Sequence, residues 1–133
     1  MDIFDSLTII NTIIIALLSL AFFRRQKLQE IKYKEIMELN VKTHDITKRA
    51  DKSLKRRAIM NSKDFDRLDY LISRYRKHSI VLSDEIDNYR QLWEKVMGEN
   101  KTGKMSEKEA ELAIKKLISK SEKIRGHADK LLK

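Results

Sequence analysis

A chain of 133 residues with no proline, three glycines and 37% charged side chains has few forced breaks, so long helices are its default and a strand-rich fold is disfavoured. With no cysteine, a disulfide framework and a thiolate metal site are excluded, and the length allows one domain at most besides tails or an anchor. The net charge of +9 is uneven: residues 24–63 carry +8 and residues 101–133 carry +5, whereas residues 1–23 and 64–100 carry −2 each.

Ser6 to Phe23 (SLTIINTIIIALLSLAFF) is eighteen residues without a charge. As a helix it is about 27 Å long, close to the hydrocarbon thickness of a bilayer. A cleavable signal would need a basic start and a small-residue cleavage site. Here Asp2 and Asp5 precede the apolar stretch, and it closes on Ala-Phe-Phe-Arg-Arg-Gln-Lys, a stop-transfer pattern. The expectation is a short extracytoplasmic tail over 1–6 and a retained transmembrane helix over 7–23. Arg24, Arg25, Lys27, Lys32 and Lys34 follow it, so the positive-inside rule puts the N-terminus outside and the rest in the cytoplasm, as in a single-pass protein of the cell (inner) membrane. Within the span, Thr8, Thr12, Ala16 and Ser19 share one face, with Asn11 beside them. That face suits helix association; alternatively the hydroxyls bond their own i−4 carbonyls.

Residues 24–62 follow a thin helical pattern. Ile36, Leu39, Thr43, Ile46 and Ala50 step by 3, 4, 3 and 4, a narrow stripe that reads as a basic stalk and not a core helix. Its most basic run holds Lys48, Arg49, Lys52, Lys55, Arg56 and Arg57. If the helix leaves the bilayer straight at Arg24, residue 48 lies roughly 36 Å out, far beyond a screening length of about 8 Å. The run is then a solvated face partly paired with Asp64, Asp66 and Asp69, or a surface for an acidic protein; nucleic acid is the third, less favoured, partner.

The next segment is far more regular. Phe65, Leu68, Ile72, Tyr75, Ser79, Leu82, Ile86, Tyr89, Trp93 and Val96 alternate steps of 3 and 4. The pattern predicts one amphipathic helix over 63–97 with a coiled-coil-like face, in which Ser79 is the single polar position. Asn61 or Ser62 can cap its start. Residues 98–105 then form a connecting loop. Ser106 and Glu109 make a capping box that opens a helix over 106–132, with Ala110, Ile114, Leu117, Ser121, Ile124, Ala128 and Leu131 on its seam. The two seams can pack as an antiparallel hairpin.

The loop GENKTGKMS comes within one residue of a Walker A loop, with Met105 where the hydroxyl belongs. Extended to Glu109 it also aligns with an EF-hand loop, but Gly98 then stands where the first carboxylate is needed and two lysines oppose a dication. Neither a buried strand before it nor the ligand charge supports these sites. Its glycines are better explained by helix termination, with Gly98 ending one helix. His44, His78 and His127 have no partner at metal-ligand spacing. No cofactor, metal or catalytic residue is therefore expected.

The expected architecture is all-α: a transmembrane helix, a charged stalk and a helical hairpin. In layout alone it resembles single-span stalk proteins such as the peripheral-stalk b subunits of rotary ATP synthases, without their alanine-rich stalk and without a shared motif. The expected role is an anchored interaction or scaffold module, working through a protein partner or a second copy along the 65–96 seam. Two alternatives are a membrane tether for nucleic acid through Lys48–Arg57 and an oligomerising membrane-perturbing effector of the toxin, lysis or defence type.

Overall fold

The computed structural model describes residues 2–58 and 60–133 and contains four helices among them and no strand: α1 Ile3–Lys55, α2 Ser62–Tyr75, α3 Ile80–Lys101 and α4 Glu107–Lys130. Met1, in the expected tail, and Ile59, in the expected stalk, lie outside the described residues. The chain divides into two compact units, Met1–Glu35 and Ile36–Lys133, and α1 contributes to both.

In the first unit the backbone is helical from Ile3 onwards, as a proline-free run of apolar residues predicts. Its large side chains, among them Ile9, Ile13, Leu17 and Phe22, are exposed.

The second unit is a four-helix bundle. Residues 36–55 of α1 lie against α4, where Asn40 meets Asp129 and Asp51 meets Ser121 and Arg125. They also lie against α2, where Thr43 meets Tyr75. On the other side α3 packs against α2 and α4, with Arg90 on Asp69 and His127 on Glu85. Asn40 with Asp129, Thr43 with Tyr75 and Glu85 with His127 each join an early residue of one helix to a late residue of its neighbour, so the helices alternate up and down around one core. Leu39, Ile46 and Leu54 of α1 fill that core with Leu68 and Leu71 of α2, Leu82 and Ile86 of α3, and Leu117 and Ile124 of α4.

Residues 36–55 are thus a core helix and not a free stalk. The stripe reads as thin because two of its inward positions are threonines, Thr43 and Thr47, both fully buried. Thr43 donates to the Leu39 carbonyl at 2.7 Å and Thr47 to the Thr43 carbonyl at 2.7 Å, which satisfies hydroxyls that would otherwise cost about 1–3 kcal/mol each to bury. Thr43 Oγ1 is also 2.8 Å from the Tyr75 hydroxyl. Burial pushes the Tyr75 phenol above its ordinary range, and the Thr43 contact partly offsets that.

The second correction concerns the helix expected over 63–97. It breaks between Tyr75 and Ile80, giving α2 and α3. Ser79, the single polar position of the seam, is the N-cap of α3: its backbone is extended (φ −155°) and its hydroxyl accepts from the Leu82 N–H at 3.2 Å. Ser83 then donates to the Ile72 carbonyl at 2.7 Å, occupying an acceptor near the end of α2. The start of α2 carries a complete capping box. The Asp64 N–H donates to the Asn61 side chain at 3.0 Å, and the Asn61 N–H donates to the Asp64 carboxylate at 3.3 Å.

The third correction is in GENKTGKMS. Gly98 lies inside α3, which runs on to Lys101. Gly103 ends the helix, at φ +67°, with the Lys104 N–H on the Glu99 carbonyl at 3.2 Å and the Gly103 N–H on the Asn100 carbonyl at 3.3 Å. This pair of bonds is the Schellman closure. The same closure ends α1, where Ala58 bonds to Ser53 at 2.8 Å and Arg57 to Leu54 at 3.1 Å. There the left-handed position (φ 54°) is filled by Arg57 and not by glycine. Ser106 caps α4, accepting from the Glu109 N–H at 3.3 Å, but the Glu109 carboxylate does not return to the Ser106 N–H, so only half of the expected capping box forms.

Candidate functional surfaces

Three groups of residues were singled out by the sequence, and the fold treats them differently. In the apolar part of α1, Thr8 donates to the Phe4 carbonyl and Thr12 to the Thr8 carbonyl, each at 2.8 Å. These hydroxyls are satisfied within their own helix, in keeping with the second of the two readings given above. Asn11, Ala16 and Ser19 are exposed, and Asn11 and Ser19 make no side-chain hydrogen bond among the described residues. One helix near the N-terminus, α1, is long and apolar enough to cross a membrane, and no residue of its apolar window is buried.

The 65–96 seam is spent inside the bundle. Leu68, Tyr75, Leu82, Ile86, Tyr89 and Trp93 are buried in the shared core, and Phe65, Ile72 and Val96 are half-buried against it. Two polar atoms of this seam, the Tyr89 hydroxyl and the Trp93 indole nitrogen, are buried without a hydrogen bond of ordinary geometry. Burial drives the Tyr89 phenol far above its usual range, and the nearby indole N–H partly offsets this. Trp93 is 2% exposed, so it is not an open binding platform.

The basic run stays at the surface. Lys48, Arg49, Lys52, Lys55, Arg56 and Arg57 are all exposed. Arg49 pairs with Asp45 at 3.4 Å and Arg57 with Glu107 at 3.6 Å. The pairing expected with Asp64, Asp66 and Asp69 does not form: Asp64 is held by Asn61 and Arg67, Asp69 by Arg90 at 2.6 Å, and Asp66 makes no ion pair among the described residues. Beside the run, a cavity of about 260 Å³ opens between Leu54, Trp93, Val96, Met97 and Ile114, with the exposed Arg57 and Lys101 among its lining.

Sequence reading missed two polar networks between α1 and α4. Asp51 accepts from Ser121 at 2.7 Å and from Arg125 at 3.0 Å, with little solvent at either charge. Asp129 accepts from Asn40 at 2.9 Å and lies 2.8 Å from His44 Nε2. The Asn40 amide first, and His44 second, hold the Asp129 carboxyl below the usual carboxylate range. The one available signal was spacing: Asn40, His44 and Asp51 flank the α1 stripe, but nothing in the sequence names their partners 70 to 89 positions away. Among the described residues, no three His, Cys, Asp or Glu side chains are grouped to hold a metal ion.

Comparison with known proteins finds no matching protein family, no similar curated protein and no similar solved structure.

Proposed function

We propose that this chain is a single-pass membrane protein, with residues 7–23 across the bilayer, the N-terminus outside and the helical bundle in the cytoplasm as an interaction module. The observation that carries the reading is the exposure of an uncharged, membrane-length apolar helix. Contiguous exposed apolar surface of this extent is costly in water, and lipid is the surroundings that fit its length and its stop-transfer flank. Because the 65–96 seam is consumed by the bundle's own core, contact with a partner falls to the outer surface. The cationic face of Lys48, Lys52, Lys55 and Arg56 suits an acidic protein partner.

Two measurements test this. Alkaline carbonate washing should leave the protein in the membrane pellet and release an Ile13→Arg, Leu17→Arg variant; release of the wild type would contradict the anchor. Crosslinking in membranes should capture an acidic protein on the wild type, with loss of capture when Lys48, Lys52, Lys55 and Arg56 are changed to glutamine. Salt-sensitive binding of DNA or RNA to the same four residues would instead support the nucleic-acid tether.

A further inference from the structure

The end of the bundle where the chain comes in at Ile36 also carries the turn between α2 and α3 and the last turn of α4. Ser83 on the Ile72 carbonyl, Thr43 on Tyr75 and Asn40 on Asp129 bring these segments together. The turn Arg74–Val81 reads RYRKHSIV and contains no acidic residue. Arg76 and Lys77 are exposed and form no ion pair among the described residues, and Lys130 and Lys133 are exposed nearby at the end of α4. Asp129 is engaged by Asn40 and His44, and Asp84 lies a turn further into α3.

Next to these cations stand two aliphatic side chains that the core does not use. Ile80 is 65% and Val81 67% exposed, at the first two positions of α3. They are not presented on a loose loop. Ser79 caps the helix beneath them, and the His78 and Ser79 N–H groups both bond to the Tyr75 carbonyl, at 2.8 and 2.7 Å. Paired aliphatics beside exposed cations match the chemistry of an anionic lipid surface, where the cations meet headgroups and the aliphatics enter the acyl boundary.

We propose that this turn docks on the anionic lipid of the membrane in which the chain is anchored, through Arg76, Lys77, Ile80 and Val81. The proposal rests on the anchor reading above. Connectivity supplies the second support. Residues 24–35 are twelve residues of the helix α1, about 18 Å long. The Ile36 end is therefore the end of the bundle tethered nearer the anchor along the chain, whereas Lys55 lies about 29 Å further along α1.

The absence of native cysteine permits single-site labelling of the full chain in vesicles. A polarity-sensitive fluorophore would be placed at Val81→Cys and, as control, at Leu112→Cys, which is equally exposed at 67% on α4. A third label at Ile14→Cys reports on the anchor. In vesicles one-third phosphatidylserine, shallow nitroxide lipids should quench Val81→Cys and leave Leu112→Cys bright. Deep nitroxide lipids should quench Ile14→Cys. Changing Arg76 and Lys77 to glutamine should lower the docked-to-free ratio about 30-fold, from about 1 kcal/mol per cation near an anionic surface. Quenching of Ile14 with none at Val81, equal quenching at Val81 and Leu112, or quenching that is the same without phosphatidylserine overturns docking alone. No quenching at Ile14 overturns the anchor and this proposal with it.

Discussion

Among the described residues, two left-handed positions end helices by the same pair of hydrogen bonds, and one of the two is a glycine. Arg57 holds φ 54° at the end of α1, a conformation that costs a side chain roughly 1 kcal/mol. Arg57→Gly should therefore raise stability by about 1 kcal/mol, read as a higher Tm by circular dichroism in detergent. Gly103→Ala should lower it by a similar amount, although a Cβ there meets open space, because φ is +67°. Gly98→Ala should do the opposite, since Gly98 is inside α3 with nothing within 4 Å, and alanine is worth about 0.5–1 kcal/mol over glycine in a helix interior. A Gly98→Ala variant less stable than the wild type would show that α3 ends before Lys101. Asp129 gives a pH signature at the same scale. Its folded pKa is depressed by Asn40 and His44, so the stability it contributes is present above the unfolded carboxylate pKa and is lost as pH falls through the folded value. Tm should thus drop more steeply below about pH 4 in the wild type than in Asp129→Ala; parallel profiles would remove Asp129 from the account.

At the scale of elements, the joint between α1 and α4 rests on the Asp51–Arg125 pair, whose side chains are 14% and 16% exposed. Removing one partner leaves a poorly solvated charge behind, so Asp51→Ala and Arg125→Ala should each cost about 3 kcal/mol. Because each single change already breaks the pair, the double variant should cost less than the sum, by about 1–3 kcal/mol. Additive losses would mean that the two charges stand independently. This joint also shows where sequence reading ran out. The 3–4 seam placed Leu68, Ile86, Tyr89 and Trp93 on an apolar face, because helical periodicity is a local property. It could not tell an intramolecular core from an interface, which depends on contacts tens of residues apart. The break at Ser79 was visible in one respect: Ile80 and Val81 fall off the seam, as two aliphatics beginning a new helix would. Without a glycine or proline to mark the break, the cap alone was a weak signal against an otherwise unbroken repeat.

For the whole molecule, composition carried the helical class, since a proline-free chain has little to interrupt it. The number of helices in the bundle was not legible, because α1 buries threonine and alanine where a core helix ordinarily shows leucine. Once Thr43 and Thr47 are seen to bond within their own helix, residues 36–55 complete a bundle that the hairpin alone would leave open on one side. That reassignment moves the proposed contacts as well, from the seam to the outer surface and the α2–α3 turn. It is tested most directly by joining α1 to α4 in the otherwise cysteine-free chain. With Asn40→Cys and Asp129→Cys, a short bis-maleimide should crosslink the two helices within one chain, giving a monomer of altered mobility on a denaturing gel. A crosslinked dimer in its place would mean that the seam pairs two copies and that residues 36–55 do not belong to the bundle.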